Sequence, residues 1–132
     1  MKIIVTNFRS GNRIATIENR YLPQGPRISP DGRSLVFFGN GRIQVHSFET
    51  NTTTAVFDRP GIQAGFASWS ADGTELAFSA YDTPLDLSHP PKIFCIEPAT
   101  GKTTQITEGP GVDRFPQMSA TGRYVAFYRG NS

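Results

Sequence analysis

Apolar residues fall along this chain in short runs, each closed by Gly, Pro, Asn, Asp or Ser. Ile3-Ile4-Val5, Leu35-Val36-Phe37-Phe38, Ile93-Phe94-Cys95-Ile96 and Val125-Ala126-Phe127-Tyr128 are of strand length, and turn residues interrupt every window long enough for a helix. The pattern predicts an all-β chain. Lys2–Phe8 reads as a strand, residues 9–12 as a turn, and Arg13–Glu18, which alternates apolar with polar, as the second arm of a hairpin. After a connection over Asn19–Gly25, four strands follow: Pro26–Ile28, Ser34–Phe38, Arg42–Phe48 and Thr52–Phe57.

One phrase recurs three times. Ser29-Pro30-Asp31-Gly32-Arg33-Ser34-Leu35-Val36-Phe37-Phe38 returns as Ser70-Ala71-Asp72-Gly73-Thr74-Glu75-Leu76-Ala77-Phe78-Ser79 and as Ser119-Ala120-Thr121-Gly122-Arg123-Tyr124-Val125-Ala126-Phe127-Tyr128. Each copy predicts a tight turn, with Asp or Thr bonding the backbone ahead of it and Gly supplying a positive φ, then a strand covered on both faces. Around the second copy the same order of four strands returns as Phe66–Trp69, Glu75–Ala80, Lys92–Ile96 and Lys102–Thr107. The spacing from Asp31 to Asp72 is 41 residues and from Asp72 to Thr121 is 49, the excess lying in an insertion, residues 81–91. The third copy gives only Arg114–Met118 and Arg123–Tyr128, a first and second strand, whereas the opening hairpin matches a third and fourth. The expected organisation is therefore a single arc over 1–132: a half-unit at 2–18, full units at 26–57 and 66–107, and the complementary half at 112–130.

Composition narrows the function classes. At 132 residues with 37% hydrophobic content, the chain is one folded domain's worth. Thirteen Lys and Arg against eleven Asp and Glu are scattered without a run, so no nucleic-acid partner is expected. The single cysteine, Cys95, reads as a buried thiol within a strand and not as a nucleophile. No apolar run has the length of a signal or membrane-spanning segment, so the expectation is a cytoplasmic protein without membrane contact, or a periplasmic one had a signal been removed.

Four-stranded antiparallel repeats of this length make the blades of β-propellers. The runs Asp113-Arg114-Phe115-Pro116-Gln117-Met118-Ser119-Ala120-Thr121-Gly122, Trp69-Ser70-Ala71-Asp72-Gly73 and Ile28-Ser29-Pro30-Asp31-Gly32 resemble the TolB-like repeat, whose pattern is close to D-x-x-P-x-W-S-P-D-G. Thr121 in place of Asp, Ala71 and Ala120 in place of Pro, and Ile28 and Met118 in place of Trp are the departures. The resemblance spans nearly the whole chain and implies a TolB-like β-propeller of four-stranded blades, three per chain. Propellers of this kind close a ring of six or more blades. The expectation is a head-to-tail homodimer closing a six-bladed ring, residues 2–18 of one chain completing the blade begun by residues 112–130 of the other. A nine-bladed trimer and a piece of a longer protein are the alternatives.

Candidate chemistry is sparse. Loops from a fourth strand to the next first strand converge at the channel mouth of such a ring, and here they carry Arg20, Tyr21, Gln24, Gln63, Asp113 and Arg114 as candidate ligand- or partner-binding residues. Their other reading is a solvated channel in which these groups pair with one another, Asp113 and Arg114 with their counterparts in the next subunit. Turn geometry accounts for Asp31 and Asp72. Asp82, Asp86 and His89 share the insertion at loose spacing, which is too little for a metal site, and Leu85 and Leu87 beside them suit a surface contact. His46 is expected to be packed or at an edge rather than catalytic. There is no G-x-S-x-G elbow, no P-loop and no H-E-x-x-H. The reading is a non-enzymatic module without cofactor or metal that self-assembles and binds a protein or peptide, the latter because the resemblance implies scaffolding of that kind. The alternative is a propeller fragment of a larger lyase or peptidase-associated enzyme, binding a small ligand or metal in its channel.

Overall fold

A computed structural model describes residues 1–20, 22–81 and 89–131. Twelve strands run through them: β1 (Lys2–Thr6), β2 (Arg13–Glu18), β3 (Gln24–Ile28), β4 (Ser34–Gly39), β5 (Arg42–Ser47), β6 (Thr52–Phe57), β7 (Ala64–Trp69), β8 (Leu76–Ala80), β9 (Lys92–Ile96), β10 (Thr103–Gln105), β11 (Val112–Met118) and β12 (Val125–Gly130). Among the described residues there is no helix. The strands form four antiparallel sheets: β1-β2, β3-β4-β5-β6, β7-β8-β9-β10 and β11-β12.

The recurring turn is built the same way each time. Ser29 Oγ donates to Asp31 Oδ1 at 2.6 Å and accepts from Ser34 N at 3.0 Å, while Arg33 N donates to Asp31 Oδ1 at 2.9 Å. Ser70, Asp72, Thr74 and Glu75 repeat this at 2.8, 3.0 and 3.0 Å. In the third copy Thr121 Oγ1 stands 3.1 Å from Ser119 Oγ, so a hydroxyl does the work of the carboxylate. Gly32, Gly73 and Gly122 supply φ of 74°, 74° and 73°. Hydrogen bonds from Ser29 and the Arg33 amide hold the Asp31 carboxyl below its ordinary range, and those from the Thr74 amide and Ser70 do the same for Asp72. Both carboxylates are consumed by their turns.

The sheets stack face to face in chain order. Ile3, Val5 and Ile17 of the first pack on Leu35 and Phe37 of the second. Val36, Ile43 and Phe57 on the opposite face of the second sheet meet Ala64, Leu76 and Phe78 of the third. Period-2 alternation explains this, since Leu35 and Phe37 point one way from β4 and Val36 the other. All five residues of β8 are buried, as expected for a strand covered on both faces. The third copy differs, because β12 has only Val125 and Phe127 half-buried, its second face having no sheet against it among the described residues.

Strand starts also differ from the sequence reading. β3 and β7 begin two residues before Pro26 and Phe66, because each of these first strands contains a bulge that breaks the alternation. β10 is shorter than Lys102–Thr107, since Thr107 turns its hydroxyl inward to accept from Ile93 N at 2.9 Å. Cys95 sits within β9 opposite Ala77 as a free, half-buried thiol, and burial raises its pKa.

Candidate ligand-binding face

The first strands β3, β7 and β11 draw together, β7 packing against both of the others. Each carries a bulge at the same place. Pairing with the second strand jumps from Gln24 to Arg27, from Gly65 to Ser68 and from Arg114 to Gln117, so two residues oppose one. The first bulge residue is left-handed every time: Gly25 at φ 60°, Phe66 at 56° and Phe115 at 55°. Glycine takes this conformation freely, while a phenylalanine is strained in it by about 1–3 kcal/mol. Two aromatic residues are thus held in a conformation that glycine would adopt without cost.

The rings meet one another. Phe38 lies 5.0 Å from Phe66, Phe66 4.2 Å from Phe115, and Phe115 6.0 Å from Tyr128, centroid to centroid. Phe38, Ser79 and Tyr128 occupy one position of the repeat, as Gly25, Phe66 and Phe115 occupy another. In the two four-stranded sheets ring size is traded between these positions, whereas β11-β12 carries a ring at both, Phe115 and Tyr128. A Cβ on Gly25 would stand 2.7 Å from the Phe38 ring, so the sheet of β3 and β4 has a ring on its second strand and none on its first. The next sheet reverses this with Phe66 and the small Ser79, whose Oγ donates to Asp113 O at 2.7 Å.

Two hollows flank Phe66. One, of about 290 Å³, is lined by Gly25, Arg27, Phe66, Ser68, Phe115 and Gln117. Arg27, Ser68 and Gln117 are again one repeat position, presented by three successive sheets. The Ser68 hydroxyl is buried and makes no hydrogen bond. The other hollow, of about 180 Å³, is lined by Phe38, Gln63, Phe66, Tyr81 and Arg114 among others. Two guanidiniums and no carboxylate border the pair, so the face is suited to an anionic group beside an apolar one. A wider hollow of about 370 Å³ between the second and third turns is bordered by Asp72, Thr74 and Thr121, whose polar atoms the turns already use.

Of the residues marked in the sequence, Gln63 and Arg114 come together at the smaller hollow. Gln24 is exposed and pairs with Phe38 at the start of β3, and Arg20 is exposed between β2 and β3. Tyr21 lies outside the described residues, as do Asp82, Leu85, Asp86 and Leu87. Asp113 is fully buried and serves the fold. Arg129 donates to it through Nε at 2.7 Å and Nη2 at 2.8 Å, and Lys92 Nζ lies 3.3 Å away. Led by the Arg129 hydrogen bonds, these contacts hold its carboxyl at a pKa of about 2. Arg129 and Lys92 of the same chain thus hold the carboxylate, while the adjacent Arg114 is exposed on an alternating strand. His46 is packed, its Nδ1 2.9 Å from Thr53 Oγ1 and its ring against Phe48. His89 borders a separate hollow with Lys92, Gln105 and Glu108.

Phe66, Phe115, Arg27, Ser68 and Gln117 escaped the sequence reading, which looked to loops. The signal was available: they stand four and two residues before the Ser that opens each turn, at Ser29, Ser70 and Ser119.

The sequence matches no family model and no curated protein. Solved structures similar in fold include TolB from Acinetobacter baumannii, 23% identical with a TM-score of 0.75 over 98% of this chain and 32% of that one. The tricorn protease matches with a TM-score of 0.77 at 14% identity, over 97% of this chain and 13% of that one. An oligogalacturonate lyase in complex with manganese matches at 0.61 and 18% identity, over 94% and 45%. The chain spans less than half the length of each. The fold is that of the TolB-like β-propellers, and its four-stranded sheets are propeller blades.

Proposed function

We propose that this chain is a non-enzymatic propeller module that binds an extended protein or peptide segment across the bulged first strands. The observation that carries the reading is the pair of left-handed phenylalanines, Phe66 and Phe115, whose rings meet at 4.2 Å with their planes tilted by 51°, Phe66 bordering one hollow with Arg27 and the other with Arg114. Strain of this kind is retained where the side chain's placement matters more than backbone comfort. Aromatic faces take an apolar side chain, the guanidiniums take a carboxylate, and the unpartnered Ser68 hydroxyl and Gln117 amide are free to bond a peptide backbone. Fluorescence anisotropy with labelled hexapeptides ending in an aromatic residue and a free carboxylate, against their amidated forms, tests it. Binding by the free acids, weakened about tenfold by amidation or by Arg114→Ala, is expected. Cleavage of the peptides, or indifference to the carboxylate, would sink it.

Two chains form the functional ring in this reading, six blades about a two-fold axis. Support comes from the complementary half-blades, β11-β12 as first and second strands and β1-β2 as third and fourth. Ring formation sets the binding face around a common channel, each chain contributing Arg27, Ser68 and Gln117.

A further inference from the structure

We infer that the open edge of β12 takes the open edge of β1 from a second copy of this chain in one definable register. The inference rests on the ring proposed above and specifies its seam.

The chain carries its own template twice. Between β4 and β5, Val36 pairs with Val45, Phe37 with Gln44 and Phe38 with Ile43. Between β8 and β9, Ala77 pairs with Cys95, Phe78 with Phe94 and Ser79 with Ile93. Counted from the Ser of each turn, Ala126, Phe127 and Tyr128 of β12 hold the places of Val36, Phe37 and Phe38. On the other half, β1 pairs Ile3 with Ile17 as β5 pairs Ile43 with Phe57, and all four residues are buried. Ile3, Ile4 and Val5 therefore hold the places of Ile43, Gln44 and Val45. The copied register sets Ala126 opposite Val5, Phe127 opposite Ile4 and Tyr128 opposite Ile3.

Side chains agree with this pairing. Exposed large apolar groups concentrate on the two half-blades, with Tyr124 72% and Tyr128 74% exposed at one end and Ile4 47%, Ile14 61% and Phe8 92% at the other. Residues opposite one another in an antiparallel pair share a face. Tyr128 and Ala126 of the second copy thus join Ile3 and Val5 over the Leu35 and Phe37 core, and Phe127 covers Ile4. The register also brings Arg129 opposite Lys2, where each cation keeps its own carboxylate, Asp113 for one and Glu18 at 4.0 Å for the other. Unpaired edges of this kind take up another strand when its pattern fits. Two copies meeting head to tail make two seams, each pairing the open edge of one copy's β12 with the open edge of the other's β1.

The test uses the full chain with Cys95→Ser. Light scattering is expected to give twice 14.5 kDa. On oxidation, Val5→Cys with Ala126→Cys should give a covalent dimer. Ile3→Cys with Ala126→Cys, two residues out of register and beyond disulfide reach, should give at least tenfold less. Circular dichroism checks that each variant folds, and Ile4→Cys with Phe127→Cys is the in-register pair to use where a buried cysteine unfolds the chain. A monomer at every concentration, or equal cross-linking in and out of register, overturns the seam. Peptide binding fails independently: cross-linked dimers that bind no peptide would remove the proposed function and leave the seam intact.

Discussion

Phe66 and Phe115 are 49 residues apart in sequence, yet their rings lie 4.2 Å apart, each on a left-handed bulge at the same position of its own repeat. Neither strand's alternation would bring them together. The bulge swings each ring off its sheet, and the stacking of successive blades brings the two bulges side by side.

That arrangement separates binding from stability. Phe115→Gly relieves about 1–3 kcal/mol of backbone strain at φ 55° while removing a half-exposed ring whose aromatic contacts are worth about 0.5–1.5 kcal/mol, two effects of opposite sign. The expected result is a thermal midpoint within a few degrees of the parent and peptide affinity reduced about tenfold. A loss of fold comparable to that from a core deletion would show that the ring is structural.

Gly25→Ala should behave in the opposite manner. The new Cβ meets the Phe38 ring at 2.7 Å and the backbone is left-handed at 60°, so a loss of about 1–3 kcal/mol is expected by denaturant unfolding. Repeating the change in a Phe38→Ala background should recover the part due to the clash and retain the part due to φ.

The Lys92–Asp113–Arg129 cluster ties the second full blade to the half-blade after it. Asp113→Asn leaves the buried Lys92 and the half-exposed Arg129 without their carboxylate, at a cost of about 3 kcal/mol. The pH dependence follows from the depressed pKa of about 2. An unfolded aspartate titrates near 4, so the cluster's contribution is complete above about pH 4 and is lost as pH falls towards 2. Acid titrations followed by circular dichroism should show a loss of stability in that window for the parent that is much reduced in the variant.

Trp69 donates its Nε1 proton to Arg27 O at 2.9 Å, from one blade to the next. Trp69→Phe keeps most of the apolar contact and removes that bond, and about 1 kcal/mol should be lost in chemical denaturation. Unchanged stability would mean that the contact is made as well by water.

Much of the fold was legible in the chain, for a local reason. Ser29, Asp31 and Gly32 close their turn with hydrogen bonds spanning five residues, so the same letters at Ser70 and Ser119 report the same geometry wherever they occur. The role of Asp113 was not legible, because its pairing with Arg129 and Lys92 of the same chain depends on which face of a bulged strand it occupies and which sheet lies beside it.

By itself, then, the sequence determined the strands, their turns, their order and the likeness to TolB-like blades. All of these rest on hydrogen bonds and apolar periodicity between residues close along the chain. The tertiary structure alone decided that Phe38, Phe66, Phe115 and Tyr128 form one line of rings and that Ser68 is buried without a partner. Those facts arise between sheets, where stacking and the bulges fix distances that no spacing along the chain encodes.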